Sequence, residues 1–156
     1  MIRLVQRLVR DEGGASLIEL ALIMPFFASM VIGVVDLSRA YSAKLQLEQA
    51  AYRAIEKVQQ YQASEDTYST LSSEATTAAT AAGFSNPTVV IDYWLECDGV
   101  RQASYDSTCA TAGQTARWVK VDISGRFTPL FSSRHWPGAN SDGTFTLHGK
   151  AGIRTQ

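Results

Sequence analysis

The chain is poor in the residues on which most enzyme chemistry depends. Its 156 residues hold two histidines, His135 and His148, and two cysteines, Cys97 and Cys109. Neither cysteine has a partner nearby at ligand spacing and both histidines are remote, so no metal is expected. There is no glycine-rich phosphate loop, no zinc-binding helix motif and no nucleophile elbow. Asp92, Asp98, Asp106 and Asp122 do not fall at a spacing that marks a carboxylate pair. These absences predict a non-enzymatic protein with no cofactor. An excess of one charge is also missing. Fourteen Lys and Arg face fifteen Asp and Glu, for a formal net charge of −1, and the pI is about 6.1. A nucleic-acid-binding domain would show a basic stripe, so no nucleic-acid partner is expected.

What the chain does have is one long apolar run, ASLIELALIMPFFASMVIGVV, from Ala15 to Val35. A helix of that length crosses a bilayer core of roughly 30 Å. The near-zero mean hydropathy of −0.06 averages this run with a polar remainder rich in Thr, Ser and Ala. A cleaved signal peptide would have a shorter apolar core, would not continue as helix and would not contain Glu19. A carboxylate at the centre of a membrane helix costs about 2.5–3.5 kcal/mol, less near its end where Glu19 lies. Such a residue either has a partner or reaches back to the interface. Pro25 has no amide hydrogen to give to the carbonyl of Ala21 and is expected to kink the helix. Gly33 is a second weak point.

Ahead of the run, Met1 to Arg10 places Ile2, Val5, Leu8 and Val9 against Arg3, Gln6, Arg7 and Arg10. This reads either as a basic amphipathic helix on the membrane surface or as a leader destined for removal. Its three Arg, counted by the positive-inside rule, put the leader in the cytoplasm and everything after about Asp36 outside. Arg39 and Lys44 on the far side keep that bias small. Both cysteines fall after the span, where an oxidising compartment lets them pair. A staple between them would close a loop of about a dozen residues, worth roughly 3 kcal/mol.

From Asp36 to Gln62 there is neither Pro nor Gly. Leu37, Ala40, Leu47, Ala51, Ala54, Ile55, Val58 and Tyr61 recur at three- and four-residue steps and predict one apolar stripe on a helical extension. Ala63 to Asp66 read as a turn. Thr67 to Ala82 predict a second helix, with Tyr68, Leu71, Ala75, Ala78 and Ala82 on one side and Gly83 as its C-terminal cap. The period then changes to two. Three strands are expected at Thr88 to Glu96, Ala116 to Ser124 and Thr144 to Ile153, with Val89, Ile91, Tyr93, Leu95, Val119, Val121, Ile123, Phe145, Leu147, Ala151 and Ile153 inward. Their opposite faces are polar, as in an antiparallel sheet covered on one side. The fold class is α+β: a long N-terminal transmembrane helix running into a small domain with a second helix and three to four antiparallel strands. Its divisions are residues 1–14, 15–35, 36–62 and 63–156. Trp94, Trp118 and Trp136 serve either a binding surface or packing. Phe127-Thr128-Pro129-Leu130-Phe131 is a contact patch if exposed and a plug of the core if not.

The front end carries a resemblance. Gly14 is followed by Ala15-Ser16-Leu17-Ile18-Glu19 and then a long apolar helix, which looks like the processing and assembly signature of type IV prepilins and pseudopilins. More narrowly, GGASLIELALIMPFFASMVIGVVDLSRAY resembles the TadE-like family of the tight adherence (Tad, or Flp) pilus systems. Gly14, Ala15, Glu19, Ala21, Pro25, Gly33 and Asp36 match its pattern. The match covers about Asp11 to Tyr41; the rest agrees in outline. Ala15 stands where many type IV pilins have Phe.

The resemblance implies a minor pilin or pseudopilin, single-pass in the inner membrane with its domain in the periplasm, and extracellular once in a pilus. A prepilin peptidase would cut between Gly14 and Ala15, taking the net charge from −1 to −2. The cut frees an ammonium on Ala15, for which Glu19 is the natural partner, in the same chain or a neighbour's. Other Tad pilin-like subunits and the inner-membrane assembly platform are the implied partners, and adhesion the implied outcome. A pseudopilin of type II secretion shares Gly14 and Glu19 but not the local run. A membrane-anchored periplasmic enzyme or sensor predicts no processing at Gly14.

Overall fold

The computed structural model describes residues 12–60, 65–110, 113–131 and 134–155. The expected leader helix and Tyr61 lie outside those residues. The chain divides into two compact units, Met1–Arg39 and Ala40–Gln156.

The first unit consists, among the described residues, of the front of helix α1 (Glu12–Gln60). Helix is already present at Glu12, three residues before the expected Ala15. It stays helical through Pro25. The Ser29 hydroxyl donates to the Pro25 carbonyl at 2.7 Å. Leu17, Leu22, Phe26, Met30 and Val34 are all more than half exposed. In water such a surface would collapse, whereas in a bilayer it is already in its solvent.

The second unit is α+β. The rear of α1 and a second helix, α2 (Glu65–Ala81), cover one face of a sheet made of β1 (Thr88–Cys97), β2 (Val100–Arg101), β3 (Thr115–Phe127) and β4 (Phe145–Arg154). The sheet order is β2-β1-β3-β4, all neighbours antiparallel. β1 pairs Thr88 with Ser124 and Cys97 with Thr115; β3 pairs Trp118 with Arg154 and Phe127 with Phe145. The alternation follows the expected inward set. Val119, Val121, Ile123 and Ala151 are buried in one cluster with Leu47, Ala50, Ala51, Ala54, Ile55 and Val58 of α1, and Leu95 is buried as well.

Leu37 departs from the expected stripe. It is 73 % exposed, and α1 first packs on the core at Ala43. Periodicity gives the phase of a stripe but not where its cover begins. The cover begins where α1 lies flat on β4. At Gly149 a Cβ would run into the Leu47 carbonyl, so only glycine admits the helix backbone this close.

α2 begins at Glu65, so Asp66 is helical and not part of a turn. Its many hydroxyls do not break it. Thr76, Thr77 and Thr80 donate to the carbonyls four residues back, and Ser73 to the one three back. The helix is held by burial of Leu71, Ala75 and Ala79. It ends as expected at Gly83, whose φ is +96°. Phe84 N–H donates to Ala79 and Gly83 N–H to Thr80, the Schellman pattern. Phe84 then lies against Gly125 of β3, where a side chain would clash with its ring.

Strand β2 was not expected. Asp98 and Gly99, at φ +51° and +80°, make the two-residue turn that returns Val100 and Arg101 beside Cys97 and Glu96. Asp-Gly between strand residues is a strong hairpin signal. The strands also run on by a few residues, to Cys97, Phe127 and Arg154.

Candidate functional site

The candidate residues fall at separate places in the molecule. The first is the front of α1. Gly14, Ala15 and Glu19 all lie within the helix, with Ala15 and Glu19 one turn apart. That spacing puts residues on one face within side-chain reach. Gly13 and Gly14 lie in the same helix, where each costs about 0.5–1 kcal/mol of stability relative to Ala. Glu19 is exposed. It shares its face, at three- and four-residue steps and their multiples, with Ile23, Met30, Val34 and Leu37, all exposed.

The second is the outward face of α1 in the second unit. Tyr41, Leu45 and Tyr52 are 63 %, 38 % and 58 % exposed. Steps of four and seven residues put them in one row, on the side away from Leu47, Ala54 and Val58. Lys44 and Glu48 flank the row and pair at 3.6 Å. The periodicity of this helix brings out its inward stripe and not the outward one. Its signal was present in the same spacing, but two stripes on one helix blur each other's amphipathic pattern. Asp36 pairs with Arg39 at 3.0 Å just before this stretch.

The third is the β1–β3 connection. Cys97 and Cys109 are bonded to each other, across a separation of 12 residues, and the described residues include no free cysteine. The loop they close delivers Tyr105 into the core, only 4 % exposed. Its ring meets Tyr93 edge-on at 5.5 Å, and the Arg117 guanidinium lies over it at 5.5 Å. Asp98 is structural: its carboxylate accepts the Gln114 N–H at 2.8 Å.

The uncovered face of the sheet holds the remaining candidates. Trp94 and Trp118 face each other across β1 and β3 and stack at 6.2 Å. Both indole N–H groups donate to Glu96, at 2.7 and 3.1 Å. Arg101 lies over Trp94 at 4.9 Å and reaches both oxygens of Asp92, at 2.6 and 3.2 Å. Asp92 thereby raises the Arg101 pKa. These two tryptophans are packing residues; each polar atom named here is satisfied by a neighbour in the ladder. His148 Nδ1 and Lys150 Nζ approach the two oxygens of Asp122 at 3.0 and 3.3 Å. Burial works against the Asp122 charge, but the hydrogen bonds from His148 and Lys150 outweigh it, and the pKa falls below the ordinary carboxylate value. Trp136 and His135 lie exposed in the β3–β4 loop. Among the described residues no three His, Cys, Asp or Glu side chains come together as a metal cluster.

α1 is a helix long and apolar enough to cross a membrane. No curated protein and no solved structure matches the chain. The sequence does match a family model, that of TadE-like protein, over residues 14–55, from the glycine ahead of the apolar run to the isoleucine that α1 buries against the sheet.

Proposed function

We propose that this chain is a minor pilin or pseudopilin of a Tad (Flp) pilus, a non-enzymatic subunit that α1 holds in the inner membrane with the second unit in the periplasm. The observation that carries the reading is the family match beginning at Gly14, with Glu19 five residues on in the same helix. A prepilin peptidase cuts between Gly14 and Ala15, in a helical stretch that two glycines weaken. The new ammonium on Ala15 and the Glu19 carboxylate then stand one turn apart. In a low-dielectric setting a fixed pair of this kind sets axial register between neighbouring helices, without adding net stability. The exposed residues that share the Glu19 face are the surface on which other pilin-like subunits pack, and the inner-membrane assembly platform receives the mature chain. Its contribution to adhesion is through pilus assembly.

N-terminal sequencing of the protein from native membranes is expected to read Ala-Ser-Leu-Ile-Glu. An intact leader in cells with an active prepilin peptidase overturns the reading. Glu19→Ala is expected to insert and be cleaved normally, yet to fail to co-purify with pilin-like partners and to lower pilus yield. If that mutant is cleaved, co-purifies and supports normal piliation, Glu19 merely reaches the interface and has no assembly role.

A further inference from the structure

We propose that the outward face of β3 and β4 binds an acidic polysaccharide, a uronate polymer whose carboxylates meet Lys120, Lys150 and Arg154 around an open floor at Gly152. The inference stands on the second unit alone and goes beyond the pilin reading. Across the second unit Lys and Arg are nearly matched by Asp and Glu, yet these two strands carry Arg117, Lys120, Arg126, Lys150 and Arg154 against the single carboxylate of Asp122. Arg117 lies over the buried Tyr105 ring. The other four alternate with the buried Val119, Val121, Ile123 and Ala151, so strand geometry puts them on the uncovered side, where all four are exposed. The register sets three of them around one glycine. Lys120 lies directly across from Gly152, and Lys150 and Arg154 stand two residues to either side of it on β4. Diagonal neighbours of this kind are about 7–8 Å apart, close enough for like charges to repel and for one anion to relieve them. The nearby carboxylates are already held. Asp92, across from Lys120 on β1, takes both Arg101 contacts, and Asp122 is shared by His148 and Lys150. Arg154 donates to the Thr115 carbonyl at 3.2 Å. The Lys120 ammonium has no hydrogen bond or ion pair among the described residues.

Gly152 shows that the space between these cations is open. Gly125 and Gly149 face inward, where a Cβ would run into the Phe84 ring and the Leu47 backbone. At Gly152 the nearest atoms to an added Cβ are the Val119 carbonyl oxygen at 3.5 Å and the Lys120 Cβ at 3.9 Å, which is ordinary contact. Among the described residues nothing requires glycine there, and a strand glycine without an internal reason fits a close approach from outside. The chemistry of the face selects what approaches. None of the exposed large apolar side chains among the described residues lies on β3 or β4. The face therefore lacks both the apolar centre of a protein interface and the apolar residues that enter a bilayer. Its complement in charge is an extended polyanion. Asp122, in the middle of the face, separates one polyanion from another. A carboxylate only accepts hydrogen bonds, as phosphodiester oxygens do, so a nucleic-acid backbone laid over Asp122 is repelled. A uronate polymer carries hydroxyls as well as carboxylates. Its carboxylates accept from Lys120, Lys150 and Arg154, its hydroxyls donate to Asp122, and a sugar ring over Gly152 takes the room that a side chain would fill.

The test uses the full chain in zwitterionic detergent micelles, with an alginate oligosaccharide as the probe and isothermal titration calorimetry as the readout. Neutral dextran and a single-stranded DNA oligonucleotide of equal charge are the comparators. Wild type is expected to bind alginate, to lose affinity as salt is raised and to ignore dextran. Lys120→Glu should weaken alginate binding about tenfold, whereas Lys120→Arg should keep it. Gly152→Thr, which fills the floor, should weaken it by a similar factor. Melting temperatures should stay at the wild-type value, because both side chains point away from the core. If Gly152→Thr lowers its melting temperature, Lys120→Glu decides by itself. Wild type that fails to bind alginate, or that binds dextran equally well, overturns the proposal. DNA bound more tightly than alginate assigns the face to a nucleic acid, which also overturns it. Alginate binding that Lys120→Glu leaves unchanged does the same. None of these outcomes bears on processing at Gly14, so the pilin reading stands or falls separately.

Discussion

The two ends of α1 make the most instructive comparison in the molecule. They are one continuous helix, Glu12–Gln60, but its front is apolar nearly throughout and its rear sets charged and amide residues between the apolar ones. In the first unit large apolar side chains are bare on every side; in the second, one face is buried to a few per cent exposure and the opposite face keeps a row of Tyr41, Leu45 and Tyr52. The difference is not in helix propensity but in solvent. A helix that is apolar all round belongs in lipid, whereas a helix with an apolar stripe belongs on a core. The second half carries one stripe too many, and that surplus is what a partner would cover.

The comparison can be broken in the second unit without touching the first. The largest stability loss is expected from removing the disulfide, by Cys97→Ser with Cys109→Ser. Loop-closure arguments put it at about 3 kcal/mol for a closure of this length, measured as a shift in the denaturant midpoint. Insertion of the first unit should be unchanged. Next comes Gly149→Ala, which forces the Leu47 backbone off β4. Overpacking of this sort costs about 1–3 kcal/mol. The alternative outcome, wild-type stability, would mean that α1 does not lie on β4 as described.

Smaller still on stability, and more informative, is the outward row. Leu45→Ser and Tyr52→Ser remove exposed side chains, so each is expected to shift stability by no more than about 0.5 kcal/mol. Both should nevertheless weaken co-purification with pilin-like partners. Lost stability instead would show that these residues serve the core of the second unit. The smallest effect concerns Asp122. Its pKa is lowered in the folded state, so its stabilisation is present above the unfolded value and is lost as pH falls through the folded one. For a partly exposed group the expected size is about 0.5 kcal/mol. Asp122→Asn should lower the melting temperature slightly at neutral pH and make no difference in acid below the folded pKa. A gap between mutant and wild type that persists there would assign the effect to shape and not to charge.

Much of this was legible in advance, for a physical reason. An apolar run long enough to cross a membrane, a helical stripe and three period-two segments are properties of local sequence, and each element formed where its period put it. Gly83 as a helix stop and the pairing of Cys97 with Cys109 were also readable, because a left-handed cap and a short closure are local too. The signature from Gly14 through Glu19 to Asp36 was readable as pattern, although a pattern says nothing of what Glu19 meets.

Tertiary structure alone decided the rest. Period fixes the phase of a face but not its cover, so Leu37 carried the stripe signal and stayed bare while Ala50 was buried. Gly149 and Gly125 look alike as letters; only the approach of Leu47 and of the Phe84 ring makes them irreplaceable. Tyr105 lies in a polar loop between the two bonded cysteines and is nevertheless buried in the core. Trp94 and Trp118 became a satisfied ladder, and Trp136 an exposed one, through register and loop geometry that no single stretch of sequence contains. A strand's alternation is set by its own residues, but burial is set by whatever arrives from elsewhere in the chain.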